Sequence, residues 1–432
     1  MTKVTIIGVG RVGLATGVAF ATLGHDVICY DIDSDRVKSI QKGKQPFHES
    51  GLSEALEKVL DTGKFTATDN SKKALTQSKF FFICVGTPAL PDGSMDSNFL
   101  GQASSTIGRE LRNRNDYPIV VVKSTVLPGT TENIIIPSIM KESKFLKDSF
   151  GICVNPEFLR EGFALYDSMK PDRIVIGSND DRTGNLLEEF YADFECKKWR
   201  CDLRTAEMVK YATNSFLATK VSFANEIANI CEIFSINSDK VLEGMALDSR
   251  INPKYLIPGV GFGGSCLLKD VKAIVSAVKS QGYDSLLLDT VLNFNERQAL
   301  RAVDLLLKQF DSLKGKHITV LGLSFKPETD DIRDSRAIPI IQELLKHKAI
   351  VTVHDPVASV TEITEILPVK TASSIKDALE KADGCIIQTS WQEYKTLTKS
   401  DFSVMKKVVV IDGRRTLSPH NLPEGAIYKR IG

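Results

Sequence analysis

The sequence predicts an α/β protein built from two doubly wound, Rossmann-like units with a long helix between them. Three observations predict this fold: a glycine-rich turn between a strand and a helix near the N-terminus, a second strand–turn–helix–strand unit that begins near Lys316, and the stretch Thr205–Phe234, which contains neither Gly nor Pro. The length agrees, because single cores stop growing at roughly 250–300 residues and this chain has 432. Two or three domains are therefore expected.

The N-terminal unit has its glycines, Gly8, Gly10 and Gly13, in a G-x-G-x-x-G frame between a strand and a helix. In such a frame the first glycine permits the tight turn, the second lets a pyrophosphate approach the backbone, and the third lets the helix pack on the strand. The next strand, Val27–Tyr30, ends at Asp31. A carboxylate there accepts hydrogen bonds from a ribose 2′-hydroxyl and repels a 2′-phosphate, which predicts NAD. An ordinary turn acid is the alternative interpretation of Asp31.

Further strands alternate with helical patterns, which is typical of a parallel sheet. The candidates are Lys79–Val85, Ile119–Lys123, Gly151–Val154 and Arg173–Ile176. Two of them run into polar turns, CVGTP at 84–88 and KSTVLPGT at 123–130. Because ligands bind at the carboxyl ends of parallel strands, both turns are expected to line a cofactor cleft.

The polar turn NPEFLREG follows the strand Gly151–Val154 and carries Glu157, Arg160 and Glu161. Two carboxylates and an arginine are costly to bury for packing alone. Their chemistry suits a general base and a substrate-binding cation. A surface loop with an Arg–Glu pair is the alternative.

The stretch Thr205–Phe234 is predicted to be one long helix between domains. Lys210 and Asn214 lie four residues apart on it, so their side chains share a face. A solvated polar pair is the alternative interpretation.

The second Rossmann-like unit repeats the strand–turn–helix–strand order. Its predicted strands are His317–Leu321, Ile350–His354, Gly384–Gln388 and Val408–Asp412, and its first helix is Ser335–Lys346. The glycine frame is reduced to Gly322, with Lys326 in the loop. A cation is therefore expected to hold phosphate here in place of backbone amides.

The segment GVGFGGSCLLKD, residues 259–270, is the strongest candidate for covalent chemistry. Its glycines let a ligand approach the backbone closely. Cys266 opens a predicted helix, whose dipole would stabilise a thiolate together with nearby cations such as Lys269 and Lys210. The thiolate is the nucleophilic form of cysteine. A buried, inert cysteine beside a turn is the alternative.

Composition excludes several classes of function. A net charge of +1 gives no field for collecting nucleic acid, and the apolar runs are far shorter than the ~20 residues of a membrane span. The eight cysteines are scattered and the six histidines have no metal-ligand spacing, so free thiols and no metal are expected. With no signal peptide recognised, we expect a cytoplasmic protein.

Taken together, these motifs resemble the UDP-glucose/GDP-mannose dehydrogenase family. The similar stretches run in order along nearly the whole chain: GVGRVG, CVGTP, STVLPGT, NPEFLREG, EMVKYATNSFLATKVSFANE, GFGGSCLLKD, GLSFKPETDDIRDS and DGRR. The resemblance implies an NAD-binding Rossmann-like domain at 1–203, a small all-helical dimerisation domain with the long helix and the cysteine loop at 204–300, and a nucleotide-sugar-binding Rossmann-like domain at 301–432. It also implies a homodimer.

The resemblance assigns roles to single positions. Cys266 corresponds to the nucleophile, Lys210 and Asn214 to the pair that stabilises oxyanions, Asp270 and Thr125 to residues that orient a catalytic water, and Glu157 and Glu161 to the carboxylates of thioester hydrolysis. The implied cofactor-binding residues are Gly8, Gly10, Arg11, Val12, Gly13, Asp31, Val85, Gly86, Thr87, Ser124, Thr125, Glu161, Lys269 and Arg333. The implied substrate-binding residues are Glu157, Phe158, Leu159, Arg160, Lys210, Asn214, Arg250, Tyr255, Gly263, Phe325, Lys326 and Arg414.

The implied reaction converts a sugar C6 alcohol to a carboxylate and reduces two NAD per sugar. The cysteine loop and Asp248-Ser-Arg250-Ile favour UDP-glucose as the substrate, ahead of GDP-mannose and UDP-N-acetylhexosamines. A two-electron hydroxyacid-type dehydrogenase and a non-catalytic nucleotide-sugar or NAD sensor remain as alternatives. Arg11 and Leu268 stand where the family often has Tyr and Pro, and neither departure affects the nucleophile.

Overall fold

The computed structural model describes residues 1–112, 114–144 and 149–432. The internal contacts divide the chain into two compact units, Met1–Thr213 and Asn214–Gly432. The boundary lies inside one continuous helix, which supplies residues to both units. The three-domain boundaries expected from the sequence remain a prediction.

The first unit is built on an eight-stranded sheet in the order β3-β2-β1-β4-β5-β6-β7-β8. Its strands are β1 Lys3–Ile7, β2 Asp26–Tyr30, β3 Phe65–Thr68, β4 Phe80–Ile83, β5 Ile119–Val122, β6 Gly151–Val154, β7 Arg173–Ser178 and β8 Lys197–Cys201. Its helices are α1 Arg11–Thr22, α2 Ser34–Gln41, α3 Leu52–Asp61, α4 Ser71–Leu75, α5 Asn98–Leu111, α6 Ile136–Ser143, α7 Ala164–Met169 and α8 Asp181–Phe190, with a π-helical turn at Thr131–Ile135 and the start of α9, Leu203–Ile233.

The strands of this sheet pair in parallel except at β6 and β7, which are antiparallel. Central strands such as β4 and β5 are buried at every residue, as expected for a sheet covered on both faces. The doubly wound parallel sheet predicted from the sequence is therefore confirmed, with one antiparallel strand pair that the sequence did not indicate.

The second unit contains the remainder of α9 and a six-stranded, fully parallel sheet in the order β11-β10-β9-β12-β13-β14. Its strands are β9 His317–Leu321, β10 Ile350–His354, β11 Lys370–Thr371, β12 Gly384–Ile387, β13 Val409–Asp412 and β14 Ile427–Arg430. Its other helices are α10 Ser238–Ala246, α11 Leu267–Ser280, α12 Leu286–Leu307, α13 Ala337–Lys346, α14 Val360–Ile366, α15 Ile375–Leu379, α16 Gln392–Lys395 and α17 Lys399–Phe402, with a 3₁₀ turn at Pro419–Asn421.

The strands that the sequence left unassigned are short or lie at the sheet edges. They are β3, β8, β11 and β14, and the edge strands β8, β11 and β14 are partly or fully exposed. A partly exposed strand carries charged side chains and lacks the continuous apolar run that marks a buried one. No helix in the described ranges is both long enough and apolar enough to span a membrane.

Candidate active site

The glycine turn between β1 and α1 has the geometry of a dinucleotide cradle. Gly8 has φ +90°, and a Cβ at Gly13 would lie 1.9 Å from the Gly8 carbonyl oxygen, so neither position tolerates a side chain. A Cβ at Gly10, by contrast, would meet no atom of the described chain within 4 Å. The turn is thus closed on the protein side and open at the N-terminus of α1, where a pyrophosphate would receive backbone N–H groups. These residues fit NAD.

Asp31 follows β2 and holds this turn by a hydrogen bond to its backbone. Its Oδ2 accepts a hydrogen bond from Val9 N at 2.7 Å, and its Oδ1 accepts one from Asp33 N at 3.0 Å. Arg36 Nη1 lies 3.4 Å from Oδ2. Since a carboxylate has about four acceptor positions, Asp31 keeps capacity for a ribose hydroxyl while it also acts as a turn acid.

The second unit repeats this turn, but hydrogen bonds within the protein occupy its acid, Asp355. Asp355 Oδ2 accepts from Leu323 N at 2.7 Å, from Ser324 N and Oγ, and from Trp391 Nε1 at 3.2 Å, while Oδ1 accepts from Val357 N and Ala358 N. These six donors exceed the roughly four acceptor positions of a carboxylate, so Asp355 has no position left for a ligand. The second turn therefore has the backbone of the first without an acid available to a ribose, in agreement with its reduced glycine pattern.

The two polar turns after β4 and β5, which the sequence predicts to line a cofactor cleft, are joined by hydrogen bonds. Ser124 Oγ donates to Val85 O at 2.7 Å, and Thr87 Oγ1 donates to Thr125 O at 3.0 Å. Gly86 is exposed beside them. The sequence did not indicate Glu207, a buried residue of α9 whose carboxylate accepts from Gly129 N and Thr131 N at 2.6 and 2.9 Å. Glu207 thereby fixes the far end of the 123–130 turn.

A buried ion pair joins two of the predicted catalytic residues. Lys210 Nζ lies 2.8 Å from Glu157 Oε1, and both side chains are less than one-tenth exposed. Burial acts to raise the pKa of Glu157, but the charge and hydrogen bond of Lys210, the Leu159 amide and the charge of Lys123 outweigh it, so the pKa lies below its ordinary value. Glu157 is thus held as a carboxylate.

Lys123 is a second buried cation in this cluster, and it is not among the site residues predicted from the sequence. Its Nζ donates to Asn155 Oδ1 at 3.0 Å, and that oxygen also accepts from Tyr191 Oη at 2.7 Å. Burial lowers the pKa of Lys123, and the nearby Lys210 lowers it further, while Cys84 and Glu157 act in the opposite direction. The available signal was a lysine directly after the apolar run of β5.

The remainder of the NPEFLREG turn surrounds this pair. The Phe158 ring lies 3.9 Å from the Arg173 guanidinium carbon and 5.6 Å from Lys210 Nζ. Leu159 is half-buried, and the exposed Arg160 pairs with Asp167 at 2.6 Å. Glu161 lies 3.7 Å from Arg11 Nε.

Cys266 lies at the N-cap of α11, where the sequence placed it. It is half-buried, and Ser265 Oγ is 3.8 Å from its Sγ. One turn later, Asp270 is buried and accepts from Lys269 Nζ at 2.6 Å and from Asn214 Nδ2 at 2.7 Å. The structure therefore brings Asn214, Lys269 and Asp270 into one hydrogen-bonded cluster. Lys269 is predicted from the sequence to stabilise the thiolate, whereas its hydrogen bond here is to the Asp270 carboxylate.

Three buried amide side chains, none of them indicated by the sequence, hold the glycine loop before Cys266. Asn295 bonds both the N–H and the C=O of Phe262, at 2.8 and 2.9 Å. Gln298 Nε2 donates to Gly259 O at 2.9 Å, and Asn225 Oδ1 accepts from Gly259 N at 2.7 Å. These residues lie on α9 and α12, so the two long helices fix the loop that precedes the cysteine.

Neighbouring residues leave no room for a side chain at two glycines of this loop. A Cβ at Gly264, where φ is +88°, would lie 2.6 Å from the Phe325 ring, and one at Gly263 would lie 2.3 Å from Asp334 O. The two predicted substrate residues Gly263 and Phe325 are therefore neighbours. Arg414 joins the same loop by donating to Gly261 O and Gln388 O, each at 2.8 Å. Burial, with a smaller effect of Arg336, lowers the pKa of Arg414 to about 10.

Three other predicted cations, Arg250, Arg333 and Lys326, belong to the second unit. Arg250 is exposed and pairs with Asp248, and Arg333 is exposed and pairs with Asp331. Lys326 Nζ is 5.8 Å from the ring centre of Phe325, and Tyr255 is exposed with φ +67°. In the described ranges, no three His, Cys, Asp or Glu side chains are grouped to hold a metal ion. The roles of these residues remain predictions.

Comparison with known proteins agrees with this geometry. Three sequence models of the UDP-glucose/GDP-mannose dehydrogenase family match in order: its NAD binding domain at residues 2–195, its central domain at 204–297 and its UDP binding domain at 319–419. A UDP-glucose 6-dehydrogenase of Haloferax volcanii is 42% identical over 99% of this chain and 100% of its own length.

Solved structures show the same similarity. A UDP-glucose dehydrogenase from Pyrobaculum islandicum has a TM-score of 0.91 and 38% identity, covering 100% of this chain and 98% of its own. A UDP-D-ManNAc dehydrogenase from Pyrococcus horikoshii has a TM-score of 0.89 and 29% identity, covering 99% of both chains. The similarity extends over both units.

Proposed function

Because the chain belongs to the UDP-glucose/GDP-mannose dehydrogenase family and is an NAD-dependent nucleotide-sugar 6-dehydrogenase, we propose that Cys266 carries a four-electron oxidation of UDP-glucose to UDP-glucuronate. The observation that carries the proposal is the placement of Cys266. It lies at the start of α11 in a glycine loop fixed by buried amides, one turn from the Asn214–Asp270 hydrogen bond.

In the first oxidation the alcohol loses a proton and a hydride, which gives the aldehyde. We propose that a water oriented by Asp270 and Thr125 accepts this proton. NAD⁺, when bound at the glycine turn, accepts the hydride of each of the two oxidations. The thiolate of Cys266 then adds to the aldehyde carbon to form a thiohemiacetal, which keeps the aldehyde from leaving. The Lys210 ammonium and the Asn214 amide stabilise the oxyanion formed at this step.

Loss of the second hydride converts the thiohemiacetal to a thioester. Water then adds to the thioester carbonyl, with Glu157 taking its proton, and the C–S bond breaks to return the Cys266 thiol and release the carboxylate. One sugar alcohol, two NAD⁺ and one water thus give one uronate, two NADH and three protons. The lowered pKa of Glu157 keeps it in the carboxylate form, which is the form that accepts a proton.

Turnover of a panel of nucleotide sugars tests the substrate and the reaction together. UDP-glucose is expected to give two NADH per sugar and a uronate identified by mass, ahead of GDP-mannose and UDP-N-acetylhexosamines. One NADH per sugar, unchanged by Cys266→Ala, would instead indicate a two-electron dehydrogenase. Tight binding of the ligands in calorimetry without turnover of any sugar would indicate a sensor.

We further propose a homodimer formed through the central segment. Phe216, Phe223 and Ile230 are exposed and lie seven residues apart on α9, so they form one apolar stripe. The exposed Ile233 and Phe234 extend it. Exposed apolar surface of this extent is typical of an interface, and a second copy of this chain is the occupant that the family resemblance implies.

Phe223→Asp is expected to convert the dimer to a monomer, because the charge would be buried at the centre of the stripe. Light scattering coupled to gel filtration measures the mass directly. Ile366→Asp is the matched control, since Ile366 is a similarly exposed apolar residue on α14 and its replacement should leave the dimer intact. A monomeric wild-type protein, or a Phe223→Asp protein of unchanged mass, contradicts the proposal.

A reducing compartment, the cytoplasm, is also proposed. None of the eight cysteines, all of which the structure describes, is in a disulfide. Several, such as Cys29, Cys153 and Cys385, are buried in the sheets, and burial raises the pKa of their thiols. Such cysteines act as small apolar residues.

A further inference from the structure

Arg11, the residue of the glycine turn that departs from the family pattern, reaches two distant segments of the first unit. Its Nη1 donates to His48 O at 3.0 Å, and its guanidinium carbon lies 4.9 Å from the centre of the Phe47 ring. Its Nε lies 3.7 Å from Glu161 Oε2, and both side chains are less than one-fifth exposed. One arginine thus joins the dinucleotide turn, segment 47–49 and the NPEFLREG turn.

Glu49 makes a second connection between the same segments. It is 1% exposed, and its two carboxylate oxygens accept from Gly162 N at 3.0 Å and Ala164 N at 2.6 Å. A buried carboxylate is costly without such bonds. Glu49 therefore fixes the backbone immediately after Glu161, where Gly162 has φ +79°. We name Arg11, segment 47–49 and residues 161–164 the loop clamp.

Charge decides what the clamp does when ligands bind. Arg11 is the first residue of α1, the helix end at which a dinucleotide pyrophosphate is expected. Glu161 lies 3.7 Å from the Arg11 guanidinium and directly follows residues 157–160, which are assigned to the nucleotide sugar. Without Arg11, the pyrophosphate and the Glu161 carboxylate would be two like charges in a partly buried place, which is unfavourable. The positive charge of Arg11 offsets both negative charges.

We propose that Arg11 and Glu49 are positioning residues that couple the dinucleotide turn to the nucleotide-sugar turn, so that each ligand strengthens the binding of the other. The proposal rests on the proposed function for the identity of the two ligands. By linkage, the factor by which one ligand improves the affinity of the second must equal the reverse factor. The clamp supplies the differential interaction that such coupling requires.

Calorimetry with NADH and UDP-glucose tests the clamp without turnover, because NADH cannot accept a hydride. In the wild-type protein, saturating UDP-glucose is expected to lower the Kd of NADH about fivefold, and saturating NADH should lower the Kd of UDP-glucose by the same factor. Arg11→Gln is expected to reduce this coupling factor to about one, or to below one, in which case each ligand weakens the binding of the other. Arg11→Lys should keep part of it, because the charge remains.

Glu49→Gln is expected to reduce the factor although Glu49 is assigned to neither ligand, an effect that a purely local role of Arg11 would not produce. Lys38→Gln is the matched control, because Lys38 is an exposed cation of α2 paired with Asp35, and it should keep the wild-type factor. If Glu49→Gln does not fold, the comparison of Arg11→Gln with Arg11→Lys still tests the proposal. An unchanged factor in Arg11→Gln, or none in the wild type, overturns the clamp, whereas failure of either ligand to bind wild-type protein overturns the proposed function.

Discussion

Cys266→Ser is expected to lower the rate of uronate formation by roughly 10³-fold or more, on the scale of losing a catalytic nucleophile. A serine hydroxyl is almost wholly protonated near neutral pH, whereas a thiol at the start of a helix has its anionic form stabilised by the helix dipole. The aldehyde is then not captured, and no thioester forms. The affinity for UDP-glucose should change little, since the substitution removes no ligand contact proposed above.

The measurements are NADH and uronate formed per protein chain, with the mass of the protein recorded after mixing with substrate. Wild-type protein should show a transient covalent adduct at Cys266, and the serine variant none. Cys201→Ser is the control, because Cys201 is a half-buried cysteine whose thiol pKa is raised to about 11, mainly by burial; it should keep full activity. Normal uronate production by Cys266→Ser would refute the covalent mechanism.

Residues near Cys266 show how far the sequence alone can reach. The cysteine was placed at a helix start because glycines precede it and apolar residues recur after it at helical spacing, and both are local signals. Asn295 and Gln298, which fix the same loop, lie some thirty residues away on α12. A polar residue within a helix has no local pattern that says what it will bond, so neither was identified.

The same distinction holds in the first unit. The strand ends after β4, β5 and β6 were predicted from apolar runs followed by polar turns, and parallel topology brings such ends together. The roles of the Glu49 and Glu207 carboxylates are not predictable from the sequence, because their partners are backbone amides of distant turns. The sequence separation is 113 and 115 residues for Glu49 and 78 and 76 residues for Glu207. Backbone amides are identical at every position, so no residue type marks the contact.

The repeated turn shows what sequence similarity between two halves does not determine. Asp31 and Asp355 each follow the second strand of their unit, and each accepts the amide one residue after the turn glycine, Val9 N or Leu323 N, at 2.7 Å. Only the second acid also accepts from a tryptophan indole. It also accepts from Ser324 N and Oγ and from two further backbone amides. These added donors together distinguish a turn that fits a ribose from one that does not.

Glu157→Gln is expected to slow hydrolysis of the thioester by roughly 10²–10⁴-fold, the usual contribution of a general base. Glutamine cannot take the proton of the attacking water. The two hydride steps should still occur once, giving a burst of two NADH per site followed by a slow steady rate, with acyl-protein detectable by mass. Glu188→Gln, at a partly exposed residue paired with Arg200, is the control and should show no burst.

Melting temperature is measured alongside, because removing one partner of a buried ion pair can cost roughly 3–5 kcal/mol. Glutamine keeps a hydrogen-bond acceptor for Lys210, so Glu157→Gln is expected to fold. A steady rate equal to wild type, with no burst and no acyl-protein, would remove Glu157 from the hydrolysis step.

The pH dependence of this step follows from the charges around Glu157. Its pKa in the folded protein lies below the ordinary value of about 4.3, so its ion pair contributes full stability above that ordinary value and loses it only as pH falls through the lower, folded value. Hydrolysis should therefore be insensitive to this group from pH 8 down to about 5.

Lys123→Met removes one of the charges that lower the pKa of Glu157, so the acid limb of the hydrolysis rate should move to higher pH. Lys123→Arg should leave the acid limb near the wild-type position. An acid limb that is the same in Lys123→Met and wild type would show that Lys123 does not act through Glu157.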